Sequence, residues 1–305
     1  MNALSISESK NISLVEVDVP ACGDGDVLLW VAYGGYCGTD LNTFRGLNPL
    51  VTYPRSPGHG RSGTIVEIDA EVSKKFTLGQ DVLVFLYFNC CICRSCKIGR
   101  PNACENNQTM DVQRGGAITE YIVLPWQQRI SVDRLSLRNM ALVEPLAVGC
   151  HAVWRGGVES EETVGILGAI GIGTVLGARC RGATVISVDV SAPKLAQIKR
   201  LGAHHTVDGS TQDVVTEVWK STGNDVAHVV IEAVGLPQTF VKAVDAASFG
   251  GRVVYVGYAK DPVQYEIKYF VMKEINILGS HGARREISTL PSKPCAGPRH
   301  LETLS

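Results

Sequence analysis

The sequence predicts an α/β protein in two parts, a β-rich domain over residues 1–145 and a doubly wound parallel sheet over residues 146–280. In the first part, short runs of β-branched and apolar residues such as GDVLLWVAYGGYC lie between glycine-rich breaks, which is typical of strands. In the second part, apolar runs such as ATVISVD alternate with helix-like stretches such as APKLAQIKRLGA, which indicates a parallel sheet. Residues 281–305 are rich in proline and predict an atypical, poorly structured tail.

The composition argues against nucleic-acid and membrane partners. The 29 basic and 30 acidic residues nearly balance, so no net field attracts a phosphate backbone or a charged bilayer. Glu8 and Lys10 interrupt the N-terminal stretch where a signal peptide needs an apolar core. The longest uncharged apolar stretch, residues 163–178, is shorter than the roughly 20 residues that span a bilayer. We therefore expect a cytoplasmic protein whose partner is a small molecule.

A cysteine-rich loop, NCCICRSCKIGRPNAC, predicts a metal site. Cys90, Cys93, Cys96 and Cys104 follow the spacing C-x2-C-x2-C-x7-C, which lets four thiolates converge on one ion. A zinc ion held by four sulfurs is a closed structural site. An iron–sulfur run would have a final interval of three residues followed by proline. The spacing therefore favours structural zinc over an iron–sulfur cluster or free buried thiols, and we interpret Cys91 as a bystander.

The stretch GILGAIGIG predicts a nucleotide site, because it ends a predicted strand and opens a predicted helix whose N–H groups can bind a pyrophosphate. The next strand ends in Asp189, about twenty residues on, where a carboxylate can accept hydrogen bonds from a ribose. The next basic residue is Lys194, so the sequence favours NAD over NADP. A tight turn that binds no dinucleotide is the alternative, since Ile170 stands where the motif has its second glycine. The predicted cofactor-binding residues are Gly168, Ile170, Gly171, Ile172, Gly173 and Asp189.

Three further residues could bind a second zinc ion. Cys37 in GGYCGTDLN, His59 in PGHG and Glu144 in LVEPLAV offer a thiolate, an imidazole and a carboxylate. Three such ligands and one open position are typical of a catalytic zinc, although each residue taken singly is more often plain packing. Asp40 could accept the other ring N–H of His59 and fix its tautomer.

Together these motifs resemble the zinc-dependent medium-chain alcohol dehydrogenases, and most of all the branch of the polyol (sorbitol) and threonine dehydrogenases. The four-cysteine loop, CGTD, PGH, EPLAV and the glycine-rich turn occur in that family's order and spacing, over about residues 1–280. The resemblance implies a GroES-like catalytic domain, a Rossmann NAD-binding domain, a catalytic and a structural zinc, and a dimer or tetramer. It also implies oxidation of a secondary alcohol in a sugar alcohol, sugar acid or related polyol, with L-threonine as the alternative substrate. Thr39 would then take the hydroxyl proton.

Several features depart from the family pattern. Gly60 stands where members usually carry a glutamate, directly after the ligand histidine. Asn42 replaces a histidine that passes the proton toward solvent, so the relay would run from Thr39 through the cofactor ribose, and we expect slower or more pH-dependent turnover. After Ser280 the sequence does not resemble the family and stops early, which suggests a truncation or a reading-frame change that uncovers apolar surface. A catalytically inactive relic that keeps the structural zinc is the alternative of another class.

Overall fold

The structure, a computed structural model, describes residues 1–70, 72, 76–130, 135–168, 171–223, 226–259 and 261–287. Two compact units divide the chain after Pro145: the first is Met1–Pro145 with the segment that begins at Arg284, and the second is Leu146–Ala283. The prediction of a poorly structured tail falls, from position 288 onward, outside the described residues. The described helices include none that is long and apolar enough to cross a membrane.

The first unit is built mainly from antiparallel strands. They are β1 (Asn2–Glu8), β2 (Asn11–Glu16), β3 (Asp26–Gly34), β4 (Arg61–Ile68), β5 (Asp81–Val84), β6 (Tyr87–Phe88), β7 (Gln108–Thr109), β8 (Tyr121–Pro125) and β9 (Arg129–Ile130). A five-stranded sheet has the order β8-β3-β4-β5-β9, while β1 pairs with β2 and β6 pairs with β7. In β8, Ile122 and Leu124 are buried and their neighbours are more exposed, because alternate side chains of a strand point to opposite faces.

The helices α1 (Gly38–Phe44) and α2 (Arg94–Lys97) connect strands of this unit, whereas α3 (Leu137–Ala141) and α4 (Val143–Arg155) follow β9, and α4 continues past Leu146 into the second unit. The capping residue of α1 is Cys37, whose thiol accepts the N–H of Thr39 while the Asp40 carboxylate accepts the N–H of Cys37. A helix of seven residues is too short to be stable by itself, so this reciprocal capping holds its first turn. The capping also brings the thiol and the carboxylate together.

The second unit contains a six-stranded parallel sheet. Its strands are β10 (Thr163–Leu167), β11 (Thr184–Asp189), β12 (His205–Asp208), β13 (Ala227–Glu232), β14 (Ala247–Tyr255) and β15 (Asn276–Gly279). The spatial order is β12-β11-β10-β13-β14-β15, and all the pairs are parallel. The order reverses beside β10, the first strand, as in dinucleotide-binding sheets. Such sheets bind their ligand outside the carboxyl ends of the strands at this point.

Helices cover both faces of the parallel sheet: α5 (Gly171–Cys180), α6 (Ala192–Arg200), α7 (Val214–Ser221), α8 (Pro237–Asp245) and α9 (Lys268–Lys273). Two successive residues of β10 belong to separate buried clusters: Ile166 packs in one cluster with Val175 of α5, and Leu167 packs in the other with Val218 of α7. Strands buried on both faces are continuous apolar runs, which explains their sequence pattern. The prediction of a β-rich part followed by a doubly wound parallel sheet is confirmed.

Candidate functional site

The four cysteines of the loop converge on one point. Their sulfurs all lie within 4.8 Å of one another, and Cys104 Sγ is 3.5 Å from Cys90 Sγ and 3.8 Å from Cys93 Sγ. Four sulfurs at zinc–sulfur distances of about 2.3 Å from a tetrahedral centre are about 3.8 Å apart. Backbone N–H groups of Cys90 and Cys93 also donate to sulfurs of the cluster, at 3.3 and 3.4 Å. The predicted group of four therefore fits a zinc ion, and Cys91 lies outside it.

The surroundings of the four thiols favour ionisation of Cys93 and oppose ionisation of Cys96. Hydrogen bonding to the Ser95 hydroxyl, assisted by the N–H of Cys96, lowers the pKa of the Cys93 thiol to about 5. Burial and the neighbouring Cys93 raise the pKa of the Cys96 thiol to about 12. Because zinc binds thiolates, uptake of the ion must release protons from this loop.

A second cluster forms at the start of α1. Cys37, Asp40 and His59 offer ligand atoms that all lie within 4.8 Å of one another. Cys37 is half-buried, while Asp40 and His59 are buried. His59 enters the cluster because it lies two residues before β4, which pairs with β3, the strand that leads to α1. Thiolate, carboxylate and imidazole are donors that zinc takes in proteins, so this donor set also fits zinc.

Asp40 does not make the hydrogen bond to His59 that the sequence analysis predicts. Its Oδ2 lies 3.8 Å from His59 Nδ1, whereas its two oxygens accept the N–H of Cys37 at 2.8 Å and the N–H of Gly58 at 2.7 Å. The carboxylate in contact with His59 Nδ1 is that of Asp111. In this structure the ring nitrogen therefore contacts Asp111, while Asp40 lies farther away and accepts two backbone N–H groups.

The charge of Asp111 changes the ionisation of His59. Burial alone would lower the pKa of the imidazole, but contact with Asp111 and then with Cys37 raises that pKa to about 11. Burial likewise raises the pKa of the Asp111 carboxyl to about 7, against the opposing effect of the imidazolium. The contact between the two groups therefore favours the charged imidazole, while burial opposes the charge of the carboxyl.

Arg61 adds a buried cation beside this pair. Its side chain is 2% exposed, its Nε donates to His59 O at 3.1 Å, and its Nη2 donates to Gly58 O. Burial lowers the pKa of the guanidinium to about 10, while the carboxylates of Asp111, Asp40 and Glu144 oppose that shift. A buried cation needs hydrogen bonds and compensating charge, and here two backbone carbonyls accept from Arg61 while nearby carboxylates favour its charged form.

Glu144 lies near the second cluster without joining the group of three. Burial raises the pKa of its carboxyl, and the charges of His59 and Arg61 act against that rise. Among the described residues, the group with ligand atoms within 4.8 Å contains Asp40 rather than Glu144. Backbone N–H groups donate to both oxygens of Asp40, however, whereas no described contact has a backbone N–H donating to Glu144.

The structure explains why residue 60 is glycine. A Cβ on Gly60 would lie 2.6 Å from the carbonyl oxygen of Ala141, the last residue of α3, and 3.7 Å from Pro145 Cδ. Side-chain carbons essentially never approach a backbone atom that closely. The departure at Gly60 therefore follows from the close approach of α3 to the loop that carries His59.

The other two predicted catalytic residues lie on α1. Thr39 is half-buried in the first turn and donates its N–H to Cys37 Sγ at 3.2 Å, so it lies beside the thiol. Asn42 is exposed one turn further along, and its carbonyl accepts the N–H of Leu47 at 2.8 Å. Its side chain faces solvent, as a group at the outer end of a proton path would.

In the second unit, the predicted nucleotide residues meet at the carboxyl ends of adjacent strands. Gly168 ends β10 with φ +97°, and a Cβ there would lie 2.5 Å from Val234 Cγ2, so only glycine fits. Its N–H donates to Val188 O, which lies one residue before Asp189 at the end of β11. The Asp189 carboxylate is buried and accepts the N–H of Ser191 at 2.9 Å. This arrangement fits a dinucleotide, with a carboxylate available to a ribose.

The remaining nucleotide residues begin α5. Gly171, Ile172 and Gly173 form its first turn, and Ile170 lies outside the described residues. A Cβ on Gly173 would lie 2.4 Å from Leu146 O, so this glycine permits close packing of α5 against α4. A helix N-terminus that follows a glycine turn presents unpaired N–H groups to an anion.

Two site residues, Arg61 and Asp111, are not predicted from the sequence. Charged residues are almost never fully buried, so Arg61 at the head of RSGTIVEID was assigned only to a strand. Asp111 lies more than fifty positions from His59 along the chain, and nothing in the residues around it marks a metal site. An arginine at the head of a predicted strand is the one available signal.

Comparisons with known proteins match both units. The profile described as "Alcohol dehydrogenase GroES-like domain" matches residues 23–134, and the profile described as "Zinc-binding dehydrogenase" matches residues 169–292. L-galactonate-5-dehydrogenase of Escherichia coli is 31% identical over 288 residues, which are 94% of this chain and 84% of that protein.

Two solved structures have the same fold. A zinc-binding dehydrogenase of Sinorhizobium meliloti bound to NADP has a TM-score of 0.88 at 31% identity, covering 97% of this chain and 86% of that chain. The RspB alcohol dehydrogenase of Escherichia coli complexed with NADH has a TM-score of 0.87 at 26% identity, covering 94% and 85%.

A GroES-like unit that carries two zinc-type ligand clusters, followed by a dinucleotide-binding sheet, defines a zinc-type dehydrogenase. This chain belongs to the zinc-dependent medium-chain alcohol dehydrogenase family, as the sequence analysis predicts. It is a zinc-dependent oxidoreductase that uses a nicotinamide cofactor and acts on a small-molecule alcohol.

Proposed function

We propose that this enzyme transfers hydride from a secondary alcohol of a sugar acid, sugar alcohol or related polyol to NAD. The observation that carries the proposal is the convergence of Cys37 and His59 with buried carboxylates at the start of α1. Such a donor set holds a catalytic zinc and leaves a position for substrate. The four-cysteine loop would hold a separate structural zinc.

In this proposal Cys37, His59 and Glu144 hold the catalytic zinc. Asp40 is a poorer ligand than Glu144, because its two oxygens already accept N–H groups of Cys37 and Gly58. When bound, zinc would supply a Lewis acid and NAD would accept the hydride. The chain's own part is to orient the ligands, hold the cofactor and move one proton.

Thr39 moves that proton. It lies in the first turn of α1 beside Cys37, so its Oγ1 could accept a hydrogen bond from the substrate hydroxyl and release its own proton toward solvent as it takes the substrate's. In the family a histidine further along α1 passes the proton on, but Asn42 has an amide that cannot do so. Position 42 therefore offers no titratable group to take the proton on from Thr39, and turnover should depend more strongly on pH.

The sugar-acid and polyol class is supported by one named relative, the L-galactonate-5-dehydrogenase of Escherichia coli. The test is a screen of sugar acids, sugar alcohols and L-threonine for NADH formation by the zinc-loaded enzyme. We expect oxidation of a polyhydroxy substrate, abolished by Cys37→Ser and kept by Cys22→Ser, a half-buried thiol outside both clusters. Activity on L-threonine alone would replace the substrate class, and activity that survives Cys37→Ser would refute the site.

The choice of NAD is supported by the surroundings of Asp189. Its buried carboxylate ends β11, and the exposed Val190 follows it, so a 2′-phosphate would meet a negative charge and an apolar side chain. Asp189→Asn should raise the KM for NAD about 10-fold, or about 1.4 kcal/mol, while it improves use of NADP. Asp208→Asn is the matched control, because Asp208 ends the neighbouring β12 and accepts the N–H of Ser210 in the same way. Equal KM values for NAD in both variants would contradict this role.

We also propose a dimer or tetramer. The strand β15 forms one edge of the parallel sheet, and Val271, Met272 and Ile277 expose apolar surface on α9 and β15. An exposed strand edge beside apolar side chains favours association. Sedimentation should show a species larger than one chain, and Val271→Lys should shift it toward the monomer.

A further inference from the structure

The carboxylate that orients His59 is Asp111, a residue outside all the family motifs quoted above. Its Oδ2 contacts His59 Nδ1, and the two side chains are buried at 2% and 7% exposure. The nearest competing carboxylate, Asp40, lies 3.8 Å from the same nitrogen and is held by two backbone donors. With Nδ1 directed at Asp111, Nε2 is the ring nitrogen left to bind a metal ion.

The backbone at Asp111 points to a required side chain. Its φ is +65°, in the left-handed region where glycine is the usual residue. Three N–H groups, those of Val112, Gln113 and Arg114, donate to Thr109 O and close this turn tightly after β7. Strained conformations of non-glycine residues persist where the surroundings impose them, and they are common at functional sites. An aspartate at a position that suits glycine is therefore explained by the contact of its carboxylate with His59.

Arg61 ties the two segments together. Its guanidinium donates to the carbonyls of Gly58 and His59 in the ligand loop, and its Nη1 lies 3.1 Å from Met110 Sδ in the turn that carries Asp111. The same guanidinium interacts electrostatically with Asp111. It therefore links the loop that carries His59 to the turn that carries Asp111.

We infer that Asp111, held by Arg61, is the positioning residue of the metal ligand His59. This inference rests on the proposed catalytic zinc. A carboxylate on the outer nitrogen of a ligand histidine fixes its tautomer and ring orientation, and losing such a partner weakens metal binding about 10–100-fold. Asp111 would act through His59 and would not touch the ion or the substrate.

The experiment compares zinc release to a chelator from wild type, Asp111→Asn and Asp69→Asn. Asp69 is a matched control in the same unit, since its carboxylate accepts the N–H of Gly25 and lies outside both clusters. We expect Asp111→Asn to weaken one of two ions about 10–100-fold and to leave the ion of the four-cysteine loop unchanged. In the cobalt-substituted Asp111→Asn protein, only the visible absorption bands of the site that contains His59 should shift, because the imidazole reorients. Asp69→Asn should match wild type in both measurements.

If Asp111→Asn does not fold, the double variant Arg61→Met with Asp111→Asn is measured in its place, because it removes both buried charges together. The same weakening of zinc binding is expected. Two ions in wild type with unchanged zinc affinity and cobalt spectrum in the Asp111 variant would overturn the inference alone. Weakening by Asp40→Asn but not by Asp111→Asn would also overturn it, and would return the role to Asp40. A wild-type chain that binds only the ion of the four-cysteine loop would overturn the proposed catalytic zinc, and this inference with it.

Discussion

Replacing Gly60 by alanine tests how closely the ligand loop packs against the helix that precedes Glu144. The new Cβ would lie 2.6 Å from Ala141 O, and ordinary contact begins at 3.4 Å, so the two segments must separate by 0.8 Å. The obstacle is a backbone atom, which cannot rotate away as the end of a side chain can. Overpacking of this kind costs about 1–3 kcal/mol of folding stability.

The same displacement acts on the proposed metal ligands. Gly60 follows His59, and Ala141 precedes Glu144 by three residues, so a separation of 0.8 Å moves the imidazole away from the carboxylate. Zinc–ligand distances tolerate only about 0.2 Å. Gly60→Ala should therefore weaken the catalytic ion at least as much as loss of an orienting partner does, about 10–100-fold.

Urea unfolding and zinc release to a chelator measure the two effects. Gly115→Ala is the matched control, because no described atom lies within 4 Å of a Cβ built there. Gly60→Glu, which adds the glutamate usual in the family, carries the same Cβ and should not improve zinc retention. A Gly60→Ala protein with wild-type stability and both ions would refute the packing argument.

Three further predictions concern other parts of the chain. Burial, with the charge of Arg179, lowers the pKa of His204 from its ordinary 6.5, and its Nδ1 accepts the N–H of Val185 at 2.9 Å. The unfolded chain therefore binds the proton first, so the free energy of unfolding should fall as the pH drops below 6.5. The fall should be less steep in His204→Asn, as measured by urea midpoints between about pH 7.5 and 5.5. Ile166→Ala, in the fully buried centre of β10, should cost about 2–5 kcal/mol in urea unfolding, and Ile166→Val about 0.5–1.5 kcal/mol. Asn42→His should raise turnover and flatten its pH profile, and an unchanged profile would contradict the proposed proton path.

Local patterns were enough to predict the fold. The apolar runs of β10, β11, β13 and β14 are buried on both faces of one sheet, so their composition alone indicated parallel strands between helices. The cysteine loop was predictable for a similar reason, because its four ligands lie within fifteen consecutive residues.

The surroundings of the candidate catalytic site were less predictable. Asp111 meets His59, and Arg61 meets Met110, only through tertiary packing between residues about fifty positions apart. Spacing rules drew attention to Asp40 beside Cys37, but they could not show that backbone N–H groups donate to its oxygens. Likewise, the close approach of Ala141 to Gly60 involves two segments that are distant in sequence, so the sequence shows the glycine but not the reason for it.

The most direct test of the account is the zinc content of the purified protein, measured per chain in wild type, Cys37→Ser and Cys93→Ser. We predict two ions in wild type and one in each variant, because Cys37 and Cys93 belong to separate ligand clusters. One ion in wild type, kept in Cys37→Ser and lost in Cys93→Ser, would contradict the proposed catalytic site. The chain would then be an inactive relative that keeps only its structural zinc.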